Sequence, residues 1–269
     1  MRNMLSPLKS ISPFTEKNTY TAADMLAVFS SGVRGVWDMT DKSTLFQDTA
    51  GTVPVTASGQ PVGRVNDISG NGAHIIQSTA GARPIYTEDS NGKYVLFDGI
   101  DDALQVSLAM GGAAGATFGA GVTGLSTASN GHVVDFNSNI SQIAGSFSIR
   151  VPSGASQNNT RSAHSGPTTT SAATVTGGIV NSRTVLMSRF DLATPRIVSR
   201  VNSRLLAYGM AAIGATSFGT ANLRIGRSGT GTFGFNGRMY AACVVNRVLS
   251  DGDARIVEEW LNAKVQAWL

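Results

Sequence analysis

The chain has 269 residues, a formal net charge of +4 and charged residues at only 14% of positions, against roughly 25% in ordinary soluble domains. Glycine occurs 31 times and cysteine once, so no intrachain disulfide framework can form, and short strands joined by turns are favoured over long helices. The arginines stand singly (Arg183, Arg189, Arg196, Arg200, Arg204) with no interleaved aromatic surface, which argues against nucleic acid as a partner. No run approaches the roughly 18 apolar residues of a membrane span, so no membrane partner is expected either.

Residues 1 to 20 contain Pro7 and Pro13, show no period and lack the apolar content of a core. They read as an arm, unfolded alone or laid against a partner, and not as a signal peptide. The chain is therefore expected to be made in a cytoplasm. "TAADMLAVFSSG" follows, where Thr21 and Asp24 have the spacing of a capping box and Met25, Leu26, Val28 and Phe29 form a short apolar face. The arm and this short helix make a first unit, residues 1–33.

Residues 34–269 form the second unit. To about Leu249 the chain runs as brief apolar or alternating stretches, such as "KYVLFDG", "HVVDFNS" and "TVLMSRFD", punctuated by Gly, Asn, Asp and Pro. About a dozen strands at even spacing predict an all-β, two-sheet antiparallel sandwich. In "RIVSRVNSRLL" the alternation places Ile197, Ser199, Val201 and Ser203 on one face. "PSGASQNNTRSAHSGPTTTSAAT" is polar throughout and reads as an exposed loop. Cys243 lies in the apolar run "MYAACVVN" and reads as a buried, inert thiol. From about residue 250 to 269 the chain turns helical. Ser250 and Asp253 cap it, and Ile256, Val257, Trp260, Leu261, Val265 and Trp268 recur at helical spacing. That stripe packs on the sandwich or serves as a subunit contact.

Three stretches could carry chemistry. "DISGNGAHIIQ" has the glycines of a phosphate cradle, but β-branched residues and then Gly81 and Pro84 follow it. A phosphate loop must open a helix, so this is a turn between strands, with Asp67 or Asn71 bonding local amides. "FDGIDD" gathers Asp98, Asp101 and Asp102, the weak candidates for a metal site, which would be calcium. The spacing differs from the helix-loop-helix calcium motif and no bidentate Glu follows, so a turn with Gly99 at positive φ is the other reading. "TFGFNG" offers Phe233, Phe235 and Asn236 as a sugar platform, although aromatics at period two also build cores. His74, His132 and His164 have no nucleophile signature near them, and Glu occurs only at Glu16, Glu88, Glu258 and Glu259. No enzyme activity and no catalytic residue are expected.

Longer stretches add a family resemblance. "GVWDMTDKSTLFQDTAGTVPVTASGQPVGRVNDISGNGAHIIQSTAGARPIY", "GKYVLFDGIDDALQV" and the closing "LRIGRSGTGTFGFNGRMYAACVVNRVLSDGDARIVEEWL" resemble concanavalin A-like (laminin-G-like) domains of bacteriophage and prophage virion proteins. The resemblance runs from about residue 34 to 261, with a poorly matching middle. It implies a jelly-roll sandwich and a place in a virion, as a tail, fibre or capsid decoration component used in assembly or adhesion. Other virion proteins, further copies of the chain and host-surface carbohydrate are the partners it implies. Laminin-type calcium sites find no counterpart beyond Asp98, Asp101 and Asp102. The hydrolases that share the fold use glutamates on a strand, and none occurs between Glu88 and Glu258.

Overall fold

A computed structural model of the protein describes residues 20–126, 130–137, 144–152, 159–165, 170–176, 180–211 and 214–268. The arm expected at the N-terminus lies, apart from Tyr20, outside the described residues. In chain order the elements are α1 (Ala22–Val28), β1 (Arg34–Asp38), β2 (Leu45–Phe46), β3 (Arg64–Val65), β4 (Ile75–Ile76), β5 (Ile85–Asp89), β6 (Gly92–Asp98), β7 (Leu104–Ala113), β8 (Gly115–Gly124), β9 (His132–Phe136), β10 (Ser146–Arg150), β11 (Asn159–Ser165), β12 (Thr170–Thr176), β13 (Thr184–Asp191), β14 (Arg196–Val201), β15 (Arg204–Gly209), β16 (Phe218–Ile225), β17 (Asn236–Val245) and α2 (Asp251–Val265).

The strands form two antiparallel sheets. The first runs β15-β14-β13-β8-β17-β6-β5, with β1 also paired to β17. The second runs β12-β11-β10-β9-β16-β7-β4-β3-β2. This is the expected all-β jelly-roll sandwich with two helices. Between the sheets Phe136 stacks on Phe147 at 5.1 Å and Phe147 on Phe190 at 4.7 Å, which ties β9 and β10 to β13 across the core. A second apolar cluster covers the other face of the first sheet, where Met25, Phe29, Val257, Trp260, Leu261 and Val265 from the helices meet Val36, Met187, Tyr240 and Cys243. The helical stripe of α2 is therefore spent on the sandwich, and burial pushes the Cys243 thiol up to about 12.

Local chemistry sets the helix ends. The amide of Thr21 donates to Asp24 Oδ2 at 2.7 Å and the amide of Asp24 returns to Thr21 Oγ1 at 3.2 Å, a complete capping box. At α2 only the forward bond forms, from the Asp253 amide to Ser250 Oγ. Helix α2 also stops short of the predicted end: Gln266 takes a left-handed conformation, and Asn262 Oδ1 accepts the amides of Ala267 and Trp268. No helix among the described residues is long and apolar enough to cross a membrane.

Two strand expectations need correction. The polar stretch read as an exposed loop contains β11 and β12, paired from Asn159↔Thr176 to Ser165↔Thr170; its residues 153–158 and 166–169 lie outside the described ones. Strand β11 turns Thr160, Ser162 and His164 into the sandwich, where all three are buried. Ser162 Oγ lies 2.6 Å from Ser188 Oγ and 2.7 Å from Ser199 Oγ, so three hydroxyls satisfy one another across the sheets. A polar strand can be buried when its partners are polar as well. Likewise "RIVSRVNSRLL" is a hairpin, because Asn202 and Ser203 take φ of 51° and 61° and turn the chain from β14 into β15. Inward alternation holds for Ile197, Ser199 and Val201, and Ser203 belongs to the turn.

"DISGNGAHIIQ" is a pin between strands. Gly70 and Gly72 supply φ of 79° and 72°, which folds the loop back over β1. Inside it, Asp67 Oδ1 accepts the amides of Val36 and Ser69, and Asp67 Oδ2 accepts Ser69 Oγ and the Ala73 amide, all between 2.8 and 3.0 Å. Trp37 Nε1 donates to the Ala73 carbonyl at 2.8 Å. The segment after the loop is β4 and not a helix.

Candidate functional site

Strand β6 ends at Asp98, strand β17 begins at Asn236, and these two residues pair across the sheet. The turn over residues 98–103 and the loop over residues 226–235 therefore sit side by side at one end of the sandwich. Asn236 Nδ2 donates to the Asp98 carbonyl at 3.2 Å and Arg227 Nη1 to the Asp101 carbonyl at 3.4 Å. Arg227 Nη2 also donates to the Gly231 carbonyl within its own loop. Gly99 has φ of 80°, and a Cβ there would lie 2.7 Å from Asn236 Cβ, so the approach of the two loops requires glycine.

The acidic candidates do come together: one oxygen from each of Asp98, Asp101 and Asp102 falls within 4.8 Å of the others. Their oxygens are used locally. Asp98 Oδ1 accepts the Ile100 amide at 2.7 Å and Asp102 Oδ2 accepts the Asp98 amide at 2.9 Å. A calcium ion takes six to eight oxygens. Here two carboxylate oxygens hold amides, and the carbonyls of Asp98 and Asp101 face Asn236 and Arg227. The donor set is that of a locked turn and falls short of such a cage.

Asp102 is buried, and burial, with the charges of Asp98 and Asp101, pushes its carboxyl up to about 6 against the pull of the Asp98 amide. The folded state thus binds a proton that the unfolded state has released between pH 4 and 6, and stability declines as pH rises through that window. Asp102→Asn retains an oxygen for the Asp98 amide and removes the charge. It should raise the unfolding free energy by about 2 kcal/mol at pH 7 and leave pH 4 nearly unchanged. Urea midpoints at the two pH values measure this; an equal gain at both would contradict it.

Of the two aromatic candidates only one faces solvent. Phe235 is fully buried and packs on Phe97 with ring centroids 6.2 Å apart, so period two places it in the core and removes it as a ligand contact. Phe233 is 36% exposed and stacks on His132 at 5.8 Å with planes 12° apart. Ile100, in the adjoining turn, is 72% exposed. Thr230, Thr232 and Asp98 are exposed as well, and Asp101 and Asn236 are half-buried.

The support for this surface comes from β9, which sequence reasoning treats only as a strand. His132 is 2% exposed, its amide donates to the Phe233 carbonyl, and burial, with a smaller contribution from Arg150, pushes its imidazole down to about 3. Asp135 is buried, and its Oδ2 accepts the Gly229 amide at 2.6 Å, which anchors the other arm of the loop. Burial raises the Asp135 carboxyl, an effect moderated by the Gly229 amide, Arg224 and Arg150. The available signal was a histidine and an aspartate inside the apolar run "HVVDF", where burial demands a partner.

No protein-family model matches the chain, and no curated protein matches it in sequence. Solved structures do match in fold. The ligand-binding domain of botulinum neurotoxin serotype D in complex with N-acetylneuraminic acid superposes with a TM-score of 0.60 at 11% identity, over 88% of this chain and 52% of that one. The receptor-binding domain of botulinum neurotoxin D gives 0.58 at 10% identity, over 87% and 53%. The binding domain of botulinum neurotoxin DC in complex with rat synaptotagmin II gives 0.53 at 12% identity, over 73% and 49%. The chain spans about half the length of these structures. Identity at this level establishes a shared β-sandwich fold and nothing about ligands.

Proposed function

We propose that the chain is a lectin-like recognition module of a bacteriophage particle, which binds surface carbohydrate at the end of the sandwich built by residues 98–103 and 226–236. The observation that carries this reading is Phe233, exposed yet held flat by its stack on buried His132. The same two adjoining segments carry the Asp98 and Asp101 carboxylates, the Asn236 amide, which is bonded to the Asp98 carbonyl, and the mutually bonded hydroxyls of Thr230 and Thr232. An apolar ring face with a few fixed polar groups is the pattern that recognises a sugar, whose C–H face meets the ring while its hydroxyls meet carboxylate and amide. Two of the matched neurotoxin domains are described in complex with N-acetylneuraminic acid and with rat synaptotagmin II, which supports a recognition role for this architecture. The bacteriophage setting rests on the motif order of the sequence. Binding without turnover is proposed, since the glutamates that hydrolases of this fold use are missing between Glu88 and Glu258.

A glycan array probed with the full chain tests the proposal. The wild type should select a defined set of saccharides, and Phe233→Ala should weaken that binding by about tenfold or more, the loss of one stacking contact of roughly 1.4 kcal/mol. A wild type that binds nothing, or a variant that binds equally well, would defeat it.

A second reading, assembly within the particle, draws on strand β15 at the sheet edge. Tyr208 is 48% exposed there with the Arg196 guanidinium over its ring, and Met210, just beyond it, is 76% exposed. Strand β12 covers β15 itself at Ser171 and Ala172, and the patch beside it is one that a neighbouring copy or another virion protein would cover. Location of the chain in purified particles by mass spectrometry and imaging, with loss of incorporation when residues 1–20 are deleted, is the result this reading expects.

A further inference from the structure

At the far end of β6, about 20 Å from Asp98 for a strand of this length, lies a different kind of site. The β5–β6 turn, the residue before β13 and the end of α2 border an open hollow of about 330 Å³. Thr40, Asn91, Lys93, Arg183, Lys264 and Gln266 line it, and among the described residues no carboxylate does.

The three cations are not equivalent. Lys264 Nζ lies 2.6 Å from Asp38 Oδ2, a close and partly buried pair whose charge is already answered. Lys93 is 3.7 Å from Glu88 with both side chains close to half exposed, so water screens that pair and leaves Lys93 free to turn to a ligand. Arg183 has no carboxylate partner among the described residues. Its Nη1 donates to Gln266 Oε1 at 3.0 Å and its Nη2 to the Asn91 carbonyl at 3.1 Å. These two neutral acceptors fix the plane of the guanidinium and leave its charge intact, with three of the five N–H donors unspent on them. The end of α2 contributes roughly half a negative charge. Glu88 and Asp89 of the β5–β6 hairpin answer Lys93 and bond Asn91, so Arg183 is the cation of the hollow whose charge no carboxylate among the described residues pairs.

We infer that this hollow is a second binding site, which takes the carboxylate of an acidic sugar, with Arg183 as the anchor and Lys93 beside it. A planar, pre-set guanidinium matches a carboxylate through paired N–H donors. The Thr40 hydroxyl already donates to Asp38 and the Asn91 NH₂ to Asp89, so Asn91 Oδ1 and the Gln266 NH₂ are the neutral groups left for ring hydroxyls. The volume is that of a pocket for a small ligand. This inference rests on the carbohydrate-binding reading for the class of ligand, and it gives that ligand an acidic residue.

Amide chemical shifts of the full chain, followed by NMR during titration with glucuronate, glucose and sodium sulfate, test it. Glucuronate should move the amides of Asn91, Arg183 and Gln266, glucose should not, and Arg183→Gln should weaken the glucuronate response about tenfold, as loss of a charge-assisted contact does. No response to glucuronate, an equal response to glucose, or a response to sulfate alone would overturn the site. The amides of residues 98–103 and 226–236 report separately on the Phe233 surface. Failure of the array with an intact glucuronate response at Arg183 therefore counts against the first site only.

Discussion

Asp67→Ala should lower the unfolding free energy by about 4 kcal/mol, the largest effect expected of a single polar substitution in this chain. The carboxylate accepts four hydrogen bonds, from Val36, from Ser69 twice and from Ala73, and alanine leaves buried amide donors with nothing to receive them. The effect extends beyond the loop. Ala73 holds Trp37 Nε1, and Trp37 is fully buried in the core between the sheets. Asp67→Asn keeps one acceptor oxygen but aims its NH₂ group at donors, so it should recover only part of the loss. Urea denaturation of the three proteins measures the order: wild type, then Asn, then Ala. An alanine variant within 1 kcal/mol of wild type would remove the pin as an explanation for this glycine-rich stretch, by roughly the margin of an ordinary surface change.

The second large effect is acid unfolding driven by two buried histidines. His132 and His164 are almost fully buried, and none of their ring nitrogens has a hydrogen-bond partner among the described residues. Burial pushes their imidazoles down to about 3 and about 4. Both stay neutral in the fold and gain a proton on unfolding below pH 6.5. Stability must therefore fall as pH drops from 6.5 towards those values, with His132 alone worth about 3 kcal/mol at pH 4. The raised carboxyls of Asp102, Asp135 and Glu258 act in the opposite sense and return part of it. The double variant His132→Phe and His164→Leu isolates the histidine contribution, since it keeps the apolar contacts to Phe233 and Phe190 and breaks no hydrogen bond. Its stability should decline far less than that of wild type between pH 6.5 and 4. Parallel curves would show that other groups set the acid limit.

The parts of the fold legible in the sequence are those where one residue type answers to one local force. The Thr21–Asp24 cap, the stripe from Val257 to Val265, and the apolar runs of β6, β13 and β17 follow from helix-end hydrogen bonding and from burial. Strands β11 and β12 escape that logic because, of their inward residues Thr160, Ser162, His164, Ser171, Ala173 and Val175, only the last is a large apolar one. Ser162 makes sense inside only once Ser188 and Ser199, 26 and 37 residues later, stand opposite it. The hairpin at Asn202–Ser203 is hidden for a related reason: two non-glycine residues take the positive φ that glycine usually marks. The candidate site was half legible. Asp98, Asp101 and Asp102 can be picked out, and so can Phe233 and Asn236, but as separate stretches. Their union depends on the pairing of Asn236 with Asp98, 138 residues apart, and the support beneath Phe233 comes from a third stretch, His132 to Asp135.

Hydrogen–deuterium exchange of the full chain, with and without a saccharide selected on the array, tests the recognition surface most directly. Slower exchange across residues 98–103 and 226–236, absent in the Phe233→Ala variant, is the predicted result. Protection confined to the β15 edge or to the α1–α2 face, with those two loops unchanged, would contradict it.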